Sequence, residues 1–180
     1  MKAMKNITIT IIMVLLTSLP GRLSGQEGGQ IRDIDANYYN IVQIGSQVWM
    51  KENLKVTKLR DGTDIGYYND IYSEDFGTGN KYTWYDLDSS TYMEEYGAIY
   101  NTGSVRSGQL CPAGWHVSTD ADWNALEDFL GGDIIAGGEL KEAGLAHWES
   151  PNTGATNSSG FTALPGGALF YNEVRPPTDP

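Results

Sequence analysis

The residues best suited to chemistry lie close together in "LCPAGWHVSTDADW", residues 110–123. This stretch holds Cys111, the single cysteine, and His116, one of two histidines. Ser118, Asp120 and Asp122 follow, and Trp115 and Trp123 are interleaved with them. A nucleophilic thiol needs a nearby base and a lowered pKa. Pro112 and Gly114 stand between Cys111 and His116, and these residue types make a turn rather than a shared helical face. His116, Ser118 and Asp120 alternate, so a strand would place them on one face. A hydrolytic triad requires the histidine between serine and aspartate, and here the serine is in the middle. No catalytic residue is assigned. The stretch reads as structure: Thr119 followed by Asp122 is helix-start chemistry, and Trp115 and Trp123 are expected to pack together as core.

Metal chemistry has few ligands to draw on. His116 and His147 are the only histidines, so a zinc site would depend on carboxylates. Oxygen ligands for calcium are plentiful, and calcium is the one ion the composition leaves open. Its best-known loop pattern is not met. Asp33-x-Asp35-x-Asn37 continues with Tyr38 where that loop needs glycine, and Asp86-x-Asp88-x-Ser90 continues with Thr91. No cofactor is assigned.

The elements that must hold these residues can be read from patterning. Thr119 opens a helix whose apolar face is Trp123, Leu126, Phe129 and Leu130, closed by Gly131-Gly132. A second helix is expected over 133–143. Tyr38–Ile44 and Gln47–Met50 should form a hairpin about Gly45-Ser46. Residues 60–96 interleave tyrosines with acids and glycines without helical period and read as loops and short strands. A short apolar strand is expected at 161–164. The tail, 169–180, has little to pack and is expected to be disordered.

The bulk composition fits one domain of turns and short strands. The chain has 180 residues, of which 22 are glycine and 11 tyrosine. Residues 1–25 have the layout of a signal peptide. Lys2 and Lys5 precede an apolar run from Ile7 to Leu16, and Ser24 and Gly25 end it, with cleavage expected before Gln26 and a short linker over 26–30. Removing this segment takes away Lys2, Lys5 and Arg22 and moves the formal charge from −11 to −14. Such a surface repels nucleic-acid backbones and anionic membranes. The expected setting is secreted, at the cell surface or periplasmic, with no membrane insertion after cleavage.

Four blocks, "IGSQVWMKENL", "LCPAGWHVSTDADWNAL", "AGGELKEAG" and "ATNSSGFTALPGG", occur in this order. Together they resemble the Fibrobacter succinogenes major paralogous (FISUMP) domain of exported proteins in Bacteroidota and Fibrobacteres. The resemblance implies an α+β fold over 31–168. It would be a C-type-lectin-like unit with two short helices, short twisted antiparallel strands and long loops, similar also to formylglycine-generating enzymes. Two departures stand out. Thr102 and Gly103 occupy positions where members carry an aromatic pair. After Gly167 the chain diverges from members, which continue through a closing strand with a second cysteine. On that reading the C-terminal part is truncated. Cys111 is then an orphaned disulfide half, with an aggregation-prone monomer or a Cys111-linked dimer as the consequence. Gly166 and Gly167 are structural.

The expected function is that of a non-catalytic exported module binding a glycan or a surface protein through its loops. The aromatic stretch from Tyr67 to Tyr100 is its main support, and the ligand-binding residues stay unassigned. The alternatives are an enzyme, by analogy with formylglycine-generating enzymes, which use a pair of cysteines, and a structural or fimbrial-type surface component.

Overall fold

The computed structural model describes residues 14–16, 29–70, 74–166, 168–170 and 173–175. Its strands are β1 (Val14–Leu16), β2 (Gln30–Arg32), β3 (Tyr38–Ile44), β4 (Gln47–Met50), β5 (Gly66–Tyr67), β6 (Lys81–Trp84), β7 (Ala98–Tyr100), β8 (Trp115–Val117), β9 (Ala168–Phe170) and β10 (Glu173–Arg175). The α-helices are α1 (Ser89–Tyr96), α2 (Thr102–Arg106), α3 (Asp120–Phe129) and α4 (Ala136–Leu140). The class is α+β, as the sequence implied. Among the described residues no helix is long and apolar enough to cross a membrane.

Strands β2, β3 and β4 form one antiparallel sheet. The hairpin has the bounds expected from the sequence. Ile44 pairs with Gln47, so Gly45-Ser46 is a two-residue turn, and Gly45 adopts φ 60°. A side chain there would also collide with the ring of Phe129, since a Cβ at Gly45 would lie 2.8 Å from it. That contact ties the hairpin tip to the end of α3. In the second sheet, β6 lies between β5, which is parallel to it, and β7, which is antiparallel. Strand β8 pairs antiparallel with β1, and β9 pairs with β10.

Two main apolar clusters hold these pieces, beside a third of Tyr68, Phe76 and Ile99. The larger contains Tyr39, Met50, Leu54, Val56, Tyr100, Leu110, Cys111 and Trp115. Its buried phenols are satisfied. Tyr39 donates to Asp33 Oδ2 at 2.6 Å and accepts from the Lys55 amide at 3.0 Å. Tyr100 donates to the Val56 carbonyl at 2.6 Å. The smaller cluster joins Ile44, Trp49, Leu126 and Phe161, with Trp123 and Leu130 packed against it.

Several expectations are corrected. Trp115 and Trp123 do not pack together: Trp115 lies in the larger cluster, and Trp123 sits 4.9 Å from Trp49 in the smaller one. Phe129 is 63% exposed and covers Gly45 rather than joining the apolar face. The second helix covers only Ala136–Leu140, because the residues before it form a turn that begins at Gly131 and Gly132 with φ 99° and 91°. Residues 161–164 form no strand; Ala163 makes a single bridge to Lys141. Helix α1 lies where loops were expected. Its N-cap is Asp88, whose carboxylate accepts from the Ser90 and Thr91 amides. None of its residues is buried, so no apolar stripe marks it in the sequence. Residues Ala168–Phe170 and Glu173–Arg175 pair antiparallel within the span 169–180 expected as a disordered tail, the rest of which lies outside the described residues.

One departure from the pattern of the resembling family has a local reason. Asn101 caps α2 and uses its whole amide. Its Oδ1 accepts from the Lys81 and Ser104 amides, and its Nδ2 donates to the Phe76 and Gly79 carbonyls. This draws α2 onto the loop before β6. A Cβ on Gly103 would lie 2.0 Å from the Gly79 carbonyl oxygen, so an aromatic residue at 103 does not fit this packing.

Candidate functional site

Within the chemistry-bearing stretch 110–123, Cys111, Trp115, His116, Thr119 and Asp122 are engaged in structure. The Trp115 amide donates to the Pro112 carbonyl at 3.0 Å, and Gly114 takes φ 86°. That is the turn the sequence implied. Cys111 is buried, and burial pushes its thiol up to about 12 against a weaker opposing pull from Arg60. Burial therefore keeps this thiol mainly protonated at neutral pH. Arg60 donates to the Cys111 carbonyl at 3.4 Å and the Gly108 carbonyl at 3.3 Å, and Arg32 lies over Tyr38. Both guanidinium groups border a cleft of about 260 Å³ whose wall includes Cys111.

His116, Ser118 and Asp120 do not form a group. Strand β8 ends at Val117 and Asp120 begins α3. His116 Nε2 instead meets Asp122 Oδ2 at 3.0 Å. Asp122 is the reciprocal member of a capping box with Thr119. Burial alone would raise the Asp122 carboxyl, but the Thr119 amide and hydroxyl and His116 hold it below its ordinary value. Asp33 and Asp35, read as failed calcium ligands, are likewise committed. Asp33 takes Asn37 and Tyr39, and Asp35 takes Thr57 and Lys58. Gly166 is half-buried, and Gly167 lies outside the described residues.

The aromatic stretch is where side chains with unused recognition capacity collect. Parallel pairing of β5 with β6 puts Tyr67 opposite Tyr82. Their rings lie 5.4 Å apart. Tyr67 is 43% exposed, and its hydroxyl donates to the Leu87 carbonyl at 3.2 Å. Tyr82 is anchored from below by Trp84 at 5.5 Å and Tyr100 at 6.5 Å. Burial raises the Tyr82 phenol, and Tyr67, Asp35 and Asp64 raise it further, so it remains a neutral donor. Asp35 and Lys58, 3.0 Å apart, stand beside it. Burial would raise Asp35, but Thr57 and Lys58 outweigh that and keep it ionised. The result is a part-exposed Tyr67 ring tilted against Tyr82, with Lys58 and Asp35 in the electrostatic neighbourhood of the Tyr82 phenol.

A second aromatic run lies along α1. Tyr85 contacts Tyr92 at 4.8 Å, Tyr92 contacts Tyr96 at 6.1 Å, and Tyr96 meets His147 edge-on at 6.4 Å. His147 is held between two carboxylates, with Nδ1 2.7 Å from Glu142 and Nε2 against Glu95. The Glu142 hydrogen bond leads in raising its pKa, and burial opposes it. Sequence reasoning missed this group because Glu95 belongs to the unrecognised helix α1 and lies far from Glu142 along the chain.

Comparison with known proteins bears on the whole of this arrangement. The model of the Fibrobacter succinogenes major domain matches residues 42–174. The chain belongs to this family. The match covers the hairpin from Val42 on, both aromatic runs, α1 to α4 and the β9–β10 pair as far as Val174. It therefore reaches into the β9–β10 pair as well as covering the four sequence blocks. No curated protein and no solved structure matches the chain.

Proposed function

We propose that this family member is an exported, non-catalytic module that binds a carbohydrate at the Tyr67–Tyr82 face. The carrying observation is the exposed Tyr67 ring, packed at a tilt against Tyr82, with the Lys58 ammonium in the electrostatic neighbourhood of the Tyr82 phenol. A flat aromatic ring covers the apolar face of a sugar, and fixed polar groups at its edge take up hydroxyls. The Tyr82 ring beside it packs on Trp84 and Tyr100, so little conformational freedom is lost on binding. The non-catalytic part is supported by the raised Cys111 thiol and by the engagement of His116 in a helix cap. Export is supported by the signal-peptide layout of residues 1–25.

A glycan array read at neutral pH, with and without calcium, tests this reading. Retention of one sugar class by the full chain, lost in Tyr67→Ala at unchanged melting temperature, is the expected result. Equal retention by wild type and Tyr67→Ala would place binding elsewhere and refute the site.

A further inference from the structure

Strand β8 has one strand partner among the described residues, and that partner comes from the leader. Val14 pairs with Val117, Leu15 with His116 and Leu16 with Trp115, all antiparallel. The same segment also runs against β4, the outer strand of its sheet. It therefore fills a slot between β4 and β8. In the sequence it is the end of the apolar run from Ile7 to Leu16, inside the part with signal-peptide layout. The segment filling the slot is thus the one that export would remove.

We propose that the β8 edge is an acceptor for an apolar β-strand of another polypeptide, and that the leader strand holds this place until it is removed. The edge is pre-formed. Trp115 is buried in the larger cluster and Val117 packs against it, so β8 stays in position without its neighbour. The turn before it is fixed by the Trp115 amide bond to Pro112, and the cap after it by Thr119 and Asp122. Without the leader, the outer edge of β8 loses its ladder partner. An exposed row of unpaired N–H and C=O groups is a template for another strand. Strand addition draws affinity from main-chain hydrogen bonds and specificity from alternate side chains. The chemistry of the occupant follows from the one already seated. It is extended, antiparallel to β8 and apolar through at least three residues, as in Val14–Leu16. The formal charge of −14 left after leader removal disfavours an acidic donor.

Only the removal of the leader rests on the export reading; the acceptor edge itself does not. The test uses the full chain carrying a protease site in place of residues 26–28, folded first and cut afterwards in vitro. The probe is a fluorescein-labelled, lysine-tailed peptide of residues 11–18, with the same peptide carrying Leu15→Pro as control. Proline removes the ladder N–H at the centre of the strand. After cutting, the leader fragment should co-elute with the body and exchange for the labelled peptide. The proline peptide should bind at least about tenfold more weakly, as expected when ladder hydrogen bonds are lost. Oligomers that appear on cutting and dissolve under excess peptide also support the proposal, with a second copy as donor. The proposal fails if the body keeps its melting temperature after the leader separates and takes up neither peptide. It fails equally if both peptides bind alike, or if oligomers ignore the peptide. A leader left uncut in the native host would refute its removal, and with it the edge's availability in the native chain, without altering the exchange measured in vitro. Tyr67→Ala should leave the exchange unchanged, which separates the edge from the carbohydrate site.

Discussion

His116 Nε2 lies 3.0 Å from Asp122 Oδ2, the same oxygen that accepts the Thr119 amide at 2.8 Å and the Thr119 hydroxyl at 2.7 Å. One carboxylate oxygen therefore joins the end of β8 to the start of α3. The aspartate acts as a structural hub, and the histidine beside it is a ligand of that hub. Asp122→Ala should lower stability by roughly 0.5–2 kcal/mol, the usual range for a lost N-terminal cap, and Asp122→Asn by less. The carboxyl titrates below its ordinary value of 3.8. Its contribution is thus full above that value and is lost as pH falls through the depressed folded one. Denaturant midpoints on the acid side of neutrality should fall more steeply for wild type than for Asp122→Asn.

His147 has the opposite dependence. Its pKa is raised above 6.5 by Glu142 and Glu95. The stabilisation is present below that value and fades as pH rises through the higher folded value. Melting temperatures at about pH 6 and about pH 9 should show wild type losing more stability on the alkaline side than His147→Gln does. An NMR titration of the imidazole should place its midpoint above 6.5. A midpoint at or below that value would break the account of the Glu95–His147–Glu142 clamp.

Cys111 should resist alkylation in the folded chain at neutral pH. Its thiol is buried and pushed up to about 12, and a disulfide to another molecule would require opening the larger cluster. Labelling by iodoacetamide should track unfolding in urea. Rapid labelling without denaturant, or a dimer dissolved by reductant, would restore the orphaned-disulfide expectation.

Trp49 and Trp123 should differ in cost. Trp49 is fully enclosed, between Trp123 at 4.9 Å and Phe161 at 6.0 Å. Trp49→Ala should cost roughly 3–5 kcal/mol. Trp123 packs on the same cluster but remains half-buried, so Trp123→Ala should cost less. Equilibrium urea unfolding of both variants measures the difference. The reverse order would mean that the smaller cluster is organised around Trp123.

Adjacent glycines in α4 make the sharpest comparison. A Cβ at Gly138 would lie 2.2 Å from the Gly154 carbonyl oxygen, whereas one at Gly137 meets nothing within 4 Å. Gly138→Ala should therefore destabilise strongly. Gly137→Ala should be neutral or gain up to about 1 kcal/mol from helix propensity. The two melting temperatures should move in opposite directions.

The sequence by itself determined what depends on near neighbours. Tyr38–Ile44, Gly45-Ser46 and Gln47–Met50 specify a hairpin because alternation and turn chemistry act within a few residues. Thr119 and Asp122 specify a helix start for the same reason, and the Pro112–Gly114 turn kept Cys111 and His116 apart. The four blocks identified the family without any coordinates. Tertiary structure decided which clusters the tryptophans joined, because Trp115 and Trp123 sit on opposite sides of a strand-to-helix junction that sends them into different clusters. It also decided the existence of α1, whose capped but unburied residues leave no periodic apolar signal. The Tyr67–Tyr82 ring contact, the Glu95–His147–Glu142 clamp and the pairing of Val14–Leu16 with Trp115–Val117 all join residues distant in the chain. Local patterning carries no term for such pairings, since they are fixed by how the sheets and loops close on one another.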